Sequence, residues 1–157
     1  MSEAAERSWP EVSLNNVERL RVLAAGLPGV ALVEHVFDHP IEQVWGLAGD
    51  LEQGTRQIEL AVRSAEILSR DGDHLKLNAR IVMGIPVEFD VELRFGWCLM
   101  QSKSSYIGMA AIEEESGRST RFAHFEGTGR WGRILLPIFR WNVLGDMRRM
   151  NRILAAG

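Results

Sequence analysis

The side chains able to do chemistry in this chain are few. Its imidazoles are His35, His39, His74 and His124, and its one thiol is Cys98. In "TRFAHFEGTG" a histidine and a carboxylate, His124 and Glu126, stand two residues apart, and on a strand that spacing puts both on one face. An imidazole beside a carboxylate can act as a general base, or can orient a carbonyl or hydroxyl of a ligand. In "VALVEHVFDHP", His35 shares strand parity with Phe37. His39 belongs to the "DHP" turn, and "HVFDH" is no metal pair, because positions i and i+4 share a face only on a helix. His74 opens a strand after a turn. Spacing thus shows no ligand cluster, and neither a metal nor a cofactor is expected. There is no glycine-rich phosphate loop, no G-x-S-x-G and no Cys-His nucleophile arrangement.

The phase of the last strand is open. Phe122, His124, Glu126 and Thr128 share one face, and Ala123, Phe125 and Gly127 share the other. If the first set is buried, His124 and Glu126 look into the protein. If the second is, they face water and Phe125 fills the core.

These residues need elements to hold them. Ser13 is a plausible N-cap for a helix through "LNNVERLRVLAAG", following a loose polar arm over residues 1–12. Val17, Leu20, Ala24 and Leu27 form its apolar stripe. "GLPG" punctuates the chain, and a strand follows with Ala31, Val33, His35 and Phe37 on one face. Pro40 ends it and starts a helix whose buried stripe is Ile41, Val44, Trp45 and Ala48; a weaker helical piece lies in "LEQGTRQIEL". The Asp71-Gly72 turn joins two strands as a hairpin. "VEFDVELRF" then alternates Val87, Phe89, Val91, Leu93 and Phe95 with charged residues, one face buried and one wet. Three more strands follow, about seven in all. The chain closes in a helix of about 20 residues, about 30 Å long. Leu136, Phe139, Val143, Met147, Met150 and Leu154 form its stripe, and Pro137 is placed in its first turn. Ile134, Ile138 and Trp141 lie nearly opposite that stripe, with Gly145, Arg148, Arg149 and Arg152 continuing the outer face.

Composition bounds the rest. With 157 residues, 46% hydrophobic and 25% charged, the chain can enclose a real core. A net charge of -3 gives no basic surplus for nucleic acid. One cysteine excludes an intrachain disulfide, no apolar run reaches a bilayer span, and the N-terminus lacks a signal-peptide pattern. A cytoplasmic address is the default expectation.

The order of elements is α+β. The stretches "VFDHPIEQVWGLAGDLE" and "GRSTRFAHFEG", with the long last helix, resemble the START-like, helix-grip (SRPBCC) superfamily, closest to its polyketide cyclase/dehydrase-type proteins. The resemblance spans residues 30–156. It departs after Asp50, where "LEQGTRQIEL" stands in place of the common tryptophan or proline. It implies a curved antiparallel sheet of about seven strands around the C-terminal helix, with residues 29–157 as the ligand-binding domain and 1–28 as an arm and amphipathic helix outside it. Phe37 anchors the core in similar proteins and Phe122 is inward, which turns His35, His124 and Glu126 toward the cavity as candidate catalytic groups. The inward residues Phe37, Leu77, Ile81, Phe89, Val91, Trp97, Met109, Phe122, Phe139, Val143 and Met147 are the expected ligand contacts. The implied function is binding or transport of an apolar aromatic, polyketide-like or lipid-like molecule. A cyclase or dehydratase using pocket His and Glu is the second reading, and a protein-partner module the third. The N-terminal helix is expected to cover Ile134, Ile138 and Trp141, within the chain or across a homodimer.

Overall fold

The computed structural model describes residues 11–114, 117–129 and 131–157, so most of the expected polar arm lies outside the described residues. The order is α1 (Asn16–Gly26), β1 (Val30–Phe37), α2 (Ile41–Ala48), α3 (Gly54–Ile58), β2 (Val62–Asp71), β3 (His74–Ile81), a 3-10 turn (Val82–Gly84), β4 (Pro86–Arg94), β5 (Trp97–Gln101), β6 (Ser105–Glu113), β7 (Thr120–Thr128) and α4 (Gly132–Ala156). Seven strands form one antiparallel sheet in the order β1-β7-β6-β5-β4-β3-β2. Hairpin connections build it from β2 to β7, and β1 closes against β7. This is the α+β helix-grip architecture, with α4 laid across the concave face.

Alternation along the strands makes that face. Leu75, Leu77, Ala79, Phe89, Val91, Leu93 and Phe122 are buried there with Ile41, Val44, Trp45 and Ala48 of α2. Phe95 departs from the expected alternation: β4 stops at Arg94, Gly96 turns the chain at φ 72°, and Phe95 is left exposed.

α4 is longer than expected, 25 residues or about 37 Å. Its start lies against the start of β1 through glycines: a Cβ on Gly29 would fall 2.3 Å from the Gly132 carbonyl carbon. Because the helix begins at Gly132, Pro137 is its sixth residue and not in its first turn; the proline has no N–H to offer the carbonyl of Arg133. The apolar stripe is buried only in the second half, at Val143, Met147 and Met150, while Leu136 is exposed.

The expected position of α1 is corrected. Its N-cap is Asn15, not Ser13: the Asn15 side chain accepts from the Glu18 N–H and the Glu18 carboxylate accepts from the Asn15 N–H. The helix packs on the convex face of β6 and β7, where Val17 and Leu20 meet Trp97, Ala110, Ala123 and Phe125. Gly108 opens this contact, since a Cβ there would lie 2.5 Å from the Phe125 ring and 2.8 Å from Leu20. Arg21 grips Glu34 of β1 with two N–H groups, and Asn16 donates to the Gly96 carbonyl at 3.0 Å. An 11-residue helix is marginal alone; burying Val17 and Leu20, at about 1.5–3 kcal/mol each, holds it. Within the chain, α1 therefore does not cover Ile134, Ile138 and Trp141, Trp141 being 71% exposed. Leu20→Asp is expected to undock α1 at a cost of several kcal/mol. Tryptophan emission should then shift to the red in Leu20→Asp and in Leu20→Asp with Trp141→Phe, but not when Trp97→Phe is present. A shift that follows Trp141 instead would mean that α1 covers α4.

Candidate functional site

β7 carries the site because both of its faces are covered. Its register sets Phe122 opposite His35 and Ala111, His124 opposite Val33 and Met109, and Glu126 opposite Ala31 and Ile107. Phe122, His124 and Glu126 point to the concave side, while Ala123 and Phe125 are buried on the convex side under α1. The two phases left open by the alternation are thus both occupied by buried residues.

A cavity of about 340 Å³ lies between the concave face and the first half of α4. Leu77, Ala79, Ile81, Val87, Phe89, Met100, Ile107 and Phe139 form its walls. Exposed Ile138 and Trp141 stand at its rim, and Glu59, Glu126 and Asn142 close one end. A further void of about 20 Å³ continues from that end, bounded by Glu59, His124, Asp146, Met109, Phe122 and Met150. Larger clefts of 430 and 700 Å³ lie outside, around His74 and Lys76 and around Ser102–Ser104, among charged and exposed side chains.

The polar end is built from three elements. Glu59 caps α3, its N–H bonded to the Thr55 carbonyl. Asp146 comes from α4, and His124 and Glu126 from β7. His124 Nδ1–H donates to the Gly108 carbonyl at 3.0 Å, which turns Nε2 toward the carboxylates. From Nε2 the distances are 3.5 Å to Glu126 Oε1, 3.6 Å to Asp146 Oδ2 and 4.0 Å to Glu59 Oε1. Asn142 donates to Glu126 Oε2 at 2.9 Å. Arg149 holds the other side of Asp146 and donates to the Ile58 carbonyl. His124, Glu126 and Asp146 are buried, and the Glu59 side chain is 13% exposed.

Burial and mutual repulsion set the protonation of this group. Burial, with Glu126 and Asp146 nearby, pushes the Glu59 carboxyl well above its ordinary range. Burial works against a charged His124, but the Asp146 and Glu126 carboxylates outweigh it and raise its pKa well above the ordinary value. Glu126 would also be raised by burial, yet His124 beside it brings its pKa down. Two carboxyls driven apart beside a charged imidazole are groups that can hold or release protons at the end of a cavity. Cys98 is no nucleophile: burial, with Glu92 nearby, pushes its thiol up to about 12.

Of the expected ligand contacts, Leu77, Ile81, Phe89 and Phe139 line the cavity, and Met109 and Phe122 line the inner void. Phe37, Val91, Val143 and Met147 are buried in the same core and line neither space. Two positions are corrected. Trp97 faces the convex side under α1. His35 has the parity of Phe37, but β1 is an edge strand and the imidazole is exposed, edge-on to Phe37 at 4.6 Å. It joins no polar wall. Glu59, Asn142, Asp146 and Arg149 were missed, and Arg149, expected on the wet face of α4, is turned inward to Asp146. A signal for three of them exists: Asn142, Asp146 and Arg149 recur at four and three residues, a polar stripe beside the apolar one. Glu59 has no such signal. The expectation of no ligand cluster is corrected too, since ligand atoms of Glu59, His124, Glu126 and Asp146 all lie within 4.8 Å of one another.

Solved structures share this arrangement of elements. A protein of Thermus thermophilus is 19% identical, with 81% of this chain and 97% of that chain covered at a TM-score of 0.58. A START superfamily protein from Mycobacterium smegmatis is 11% identical over 81% and 97%, with a TM-score of 0.60. The chain has the START-like, helix-grip fold. The Zhui aromatase/cyclase from a Streptomyces species aligns over 80% of this chain and 94% of its own at 15% identity and a TM-score of 0.58. No family model matches the sequence. No curated protein matches it either. Among the described residues, no helix of this START-like chain is long and apolar enough to cross a membrane.

The polar end makes stability depend on pH. Glu59 and His124 have raised pKa values in the folded state, so their contribution is present in acid and is lost as pH rises, from above 4.5 for Glu59 and above 6.5 for His124. Glu126 acts oppositely, losing its contribution as pH falls below 4.5. With chelator present, the melting temperature should therefore fall between about pH 5 and 8, and less steeply in Glu59→Gln. A melting temperature that rises over that interval would contradict the raised values.

Proposed function

We propose that this protein binds an apolar small molecule that carries one hydrogen-bonding group. The observation that carries the reading is a cavity of about 340 Å³ with mostly apolar walls, where Glu59, Glu126 and Asn142 supply the carboxyl and amide groups and Ser105, Tyr106 and Thr128 add hydroxyl-bearing residues to the lining. That volume is within the range of ligand pockets, about 300–1,000 Å³, and a few polar groups in an apolar pocket fix a ligand's orientation. Asn142, Glu126 and Glu59 are the groups for a hydroxyl or carbonyl. The hydrocarbon or aromatic body would lie against Leu77, Phe89, Ile107 and Phe139. Carriage of an aromatic, polyketide-like or lipid-like molecule is the function this supports best.

A second reading is acid–base catalysis on such a molecule, a cyclisation or dehydration. Its support is the position of Glu59 and Glu126 on the cavity wall with His124 behind them, and the fold shared with the Zhui aromatase/cyclase. In it, Glu126 or Glu59 exchanges a proton with the ligand and His124 with Asp146 holds the compensating charge. His35 has no part, being outside the cavity.

Ala65 lies on the cavity wall and is only partly buried. A bulky side chain there should fill the space while leaving the core intact. Ala65→Trp is expected to weaken stoichiometric binding of an apolar fluorophore at least tenfold with little change in melting. Asn142→Ala should weaken a hydroxyl- or carbonyl-bearing ligand by about 0.5–1.5 kcal/mol and leave its hydrocarbon analogue unaffected. Equal fluorophore affinity in wild type and Ala65→Trp would rule the cavity out as the binding site. Conversion of a bound polyketide-like ligand, lost in Glu126→Gln while binding persists, would select the catalytic reading.

A further inference from the structure

We propose that Glu59, His124, Glu126 and Asp146 form a binding site for one divalent first-row transition-metal ion at the inner end of the cavity. Each of three ligands has one atom anchored and another aimed at a common centre. His124 gives its Nδ1–H to the Gly108 carbonyl and turns Nε2 inward. Glu126 has Oε2 held by Asn142 and Oε1 facing Nε2. Asp146 has Oδ1 held by Arg149, and its Oδ2 is fully buried with no hydrogen-bond partner. Metal-bound histidines and carboxylates are oriented in this way, by hydrogen bonds to the atoms that do not touch the ion.

Distances separate this arrangement from a hydrogen-bonded network. Nε2 is 3.5, 3.6 and 4.0 Å from the three carboxylate oxygens, at or beyond the limit of a useful hydrogen bond. Bonds of about 2.0–2.2 Å to a tetrahedral ion put neighbouring donors about 3.3–3.6 Å apart. Two of the three distances from Nε2 are therefore at ligand spacing, and all four ligand atoms lie within 4.8 Å of one another, so an ion would draw them inward, with Glu59 the farthest from Nε2.

Asp146 Oδ2 is the decisive atom. A carboxylate oxygen with no hydrogen bond, its nearest cationic group the His124 imidazole at 3.6 Å, in a side chain only 1% exposed, is costly, and a bound metal ion removes that cost. The adjoining void of about 20 Å³ is about one water in size, enough for the ion or its bound water. Charge is compatible: once an ion displaces the protons of Glu59 and His124, three carboxylates against Arg149 leave two negative charges, which one dication balances. One imidazole with three carboxylates suits Zn²⁺, Mn²⁺ or Fe²⁺, whereas Ca²⁺ and Mg²⁺ prefer oxygen alone and Cu⁺ prefers sulfur.

The test uses the full, tag-free chain, treated with chelator and titrated with Co²⁺. One equivalent should bind with visible d–d absorption, be displaced by Zn²⁺ and raise the melting temperature. His124→Gln and Glu126→Gln should lose that absorption. Should either fail to fold, Glu59→Gln, at the edge of the cavity, should weaken binding at least tenfold, and Asn142→Leu by about 10–100-fold. His39→Gln and His74→Gln should bind as wild type does. The proposal is overturned if the wild type takes up no ion in the presence of a weak competing chelator, if the cluster variants bind Co²⁺ unchanged, or if binding follows His39 or His74. Binding of an apolar fluorophore is measured on the same samples, so that its loss with Co²⁺ binding intact would count against the cavity reading alone.

Discussion

A straight helix cannot follow a curved sheet, and the rest of this molecule follows from how α4 meets that constraint. Its second half lies in contact, through Val143, Met147 and Met150. Its start is tied close to β1 by the Gly29 and Gly132 backbones. Between these supports the first half stands away from β2 to β5, and the gap is the cavity of about 340 Å³. The sheet side of that gap is apolar because strand alternation makes it so. The helix side is apolar at Phe139 and becomes polar at Asn142, one turn later.

Polar groups at the inner end survive burial because each is supported from elsewhere in the fold. β7 is covered on both faces, so His124 is buried and Glu126 meets only the cavity. Gly108 serves both sides of the sheet: its missing side chain admits Phe125 and Leu20 on the convex face, while its carbonyl anchors His124 on the concave one. Arg149 joins α4 to the end of α3, and so links Asp146 to the segment that delivers Glu59. A buried charge without such partners would be neutralised or would destabilise the fold. Here the Arg149 guanidinium, the Asn142 amide and the Gly108 carbonyl distribute the load among α3, β6, β7 and α4.

Covering the convex face of β5 to β7 with α1 leaves the outer side of α4 uncovered. The choice is decided by shape and charge together. Trp97, Ala110, Ala123 and Phe125 form an apolar surface that fits Val17 and Leu20, and Glu34 of β1 stands ready for Arg21. Opposite the buried stripe, α4 presents exposed Ile134, Ile138 and Trp141, the last two at the rim of the cavity, where a covering helix would obstruct entry.

Local pattern was sufficient for most elements. Strand parity, the Asp71-Gly72 turn, the proline at the start of α2 and the 3.6-residue stripes are properties of neighbouring residues, and they led to the seven-stranded α+β fold. They also led to His124 and Glu126 as a pair, because two residues on one strand share a face whatever surrounds them. Burial was beyond them. His35 has the right parity and the wrong environment, since only the sheet order makes β1 an edge. Trp97 and Phe125 look like core in sequence and are core, but of the second cluster beneath α1. Glu59 lies in the segment where the chain departs from the pattern of similar proteins, and it meets Asp146 from far away along the chain, a separation that no periodicity reports. Sequence determined which side chains share a face; only the tertiary structure decided which faces meet, because that depends on sheet order, helix placement and the approach of segments far apart in the chain.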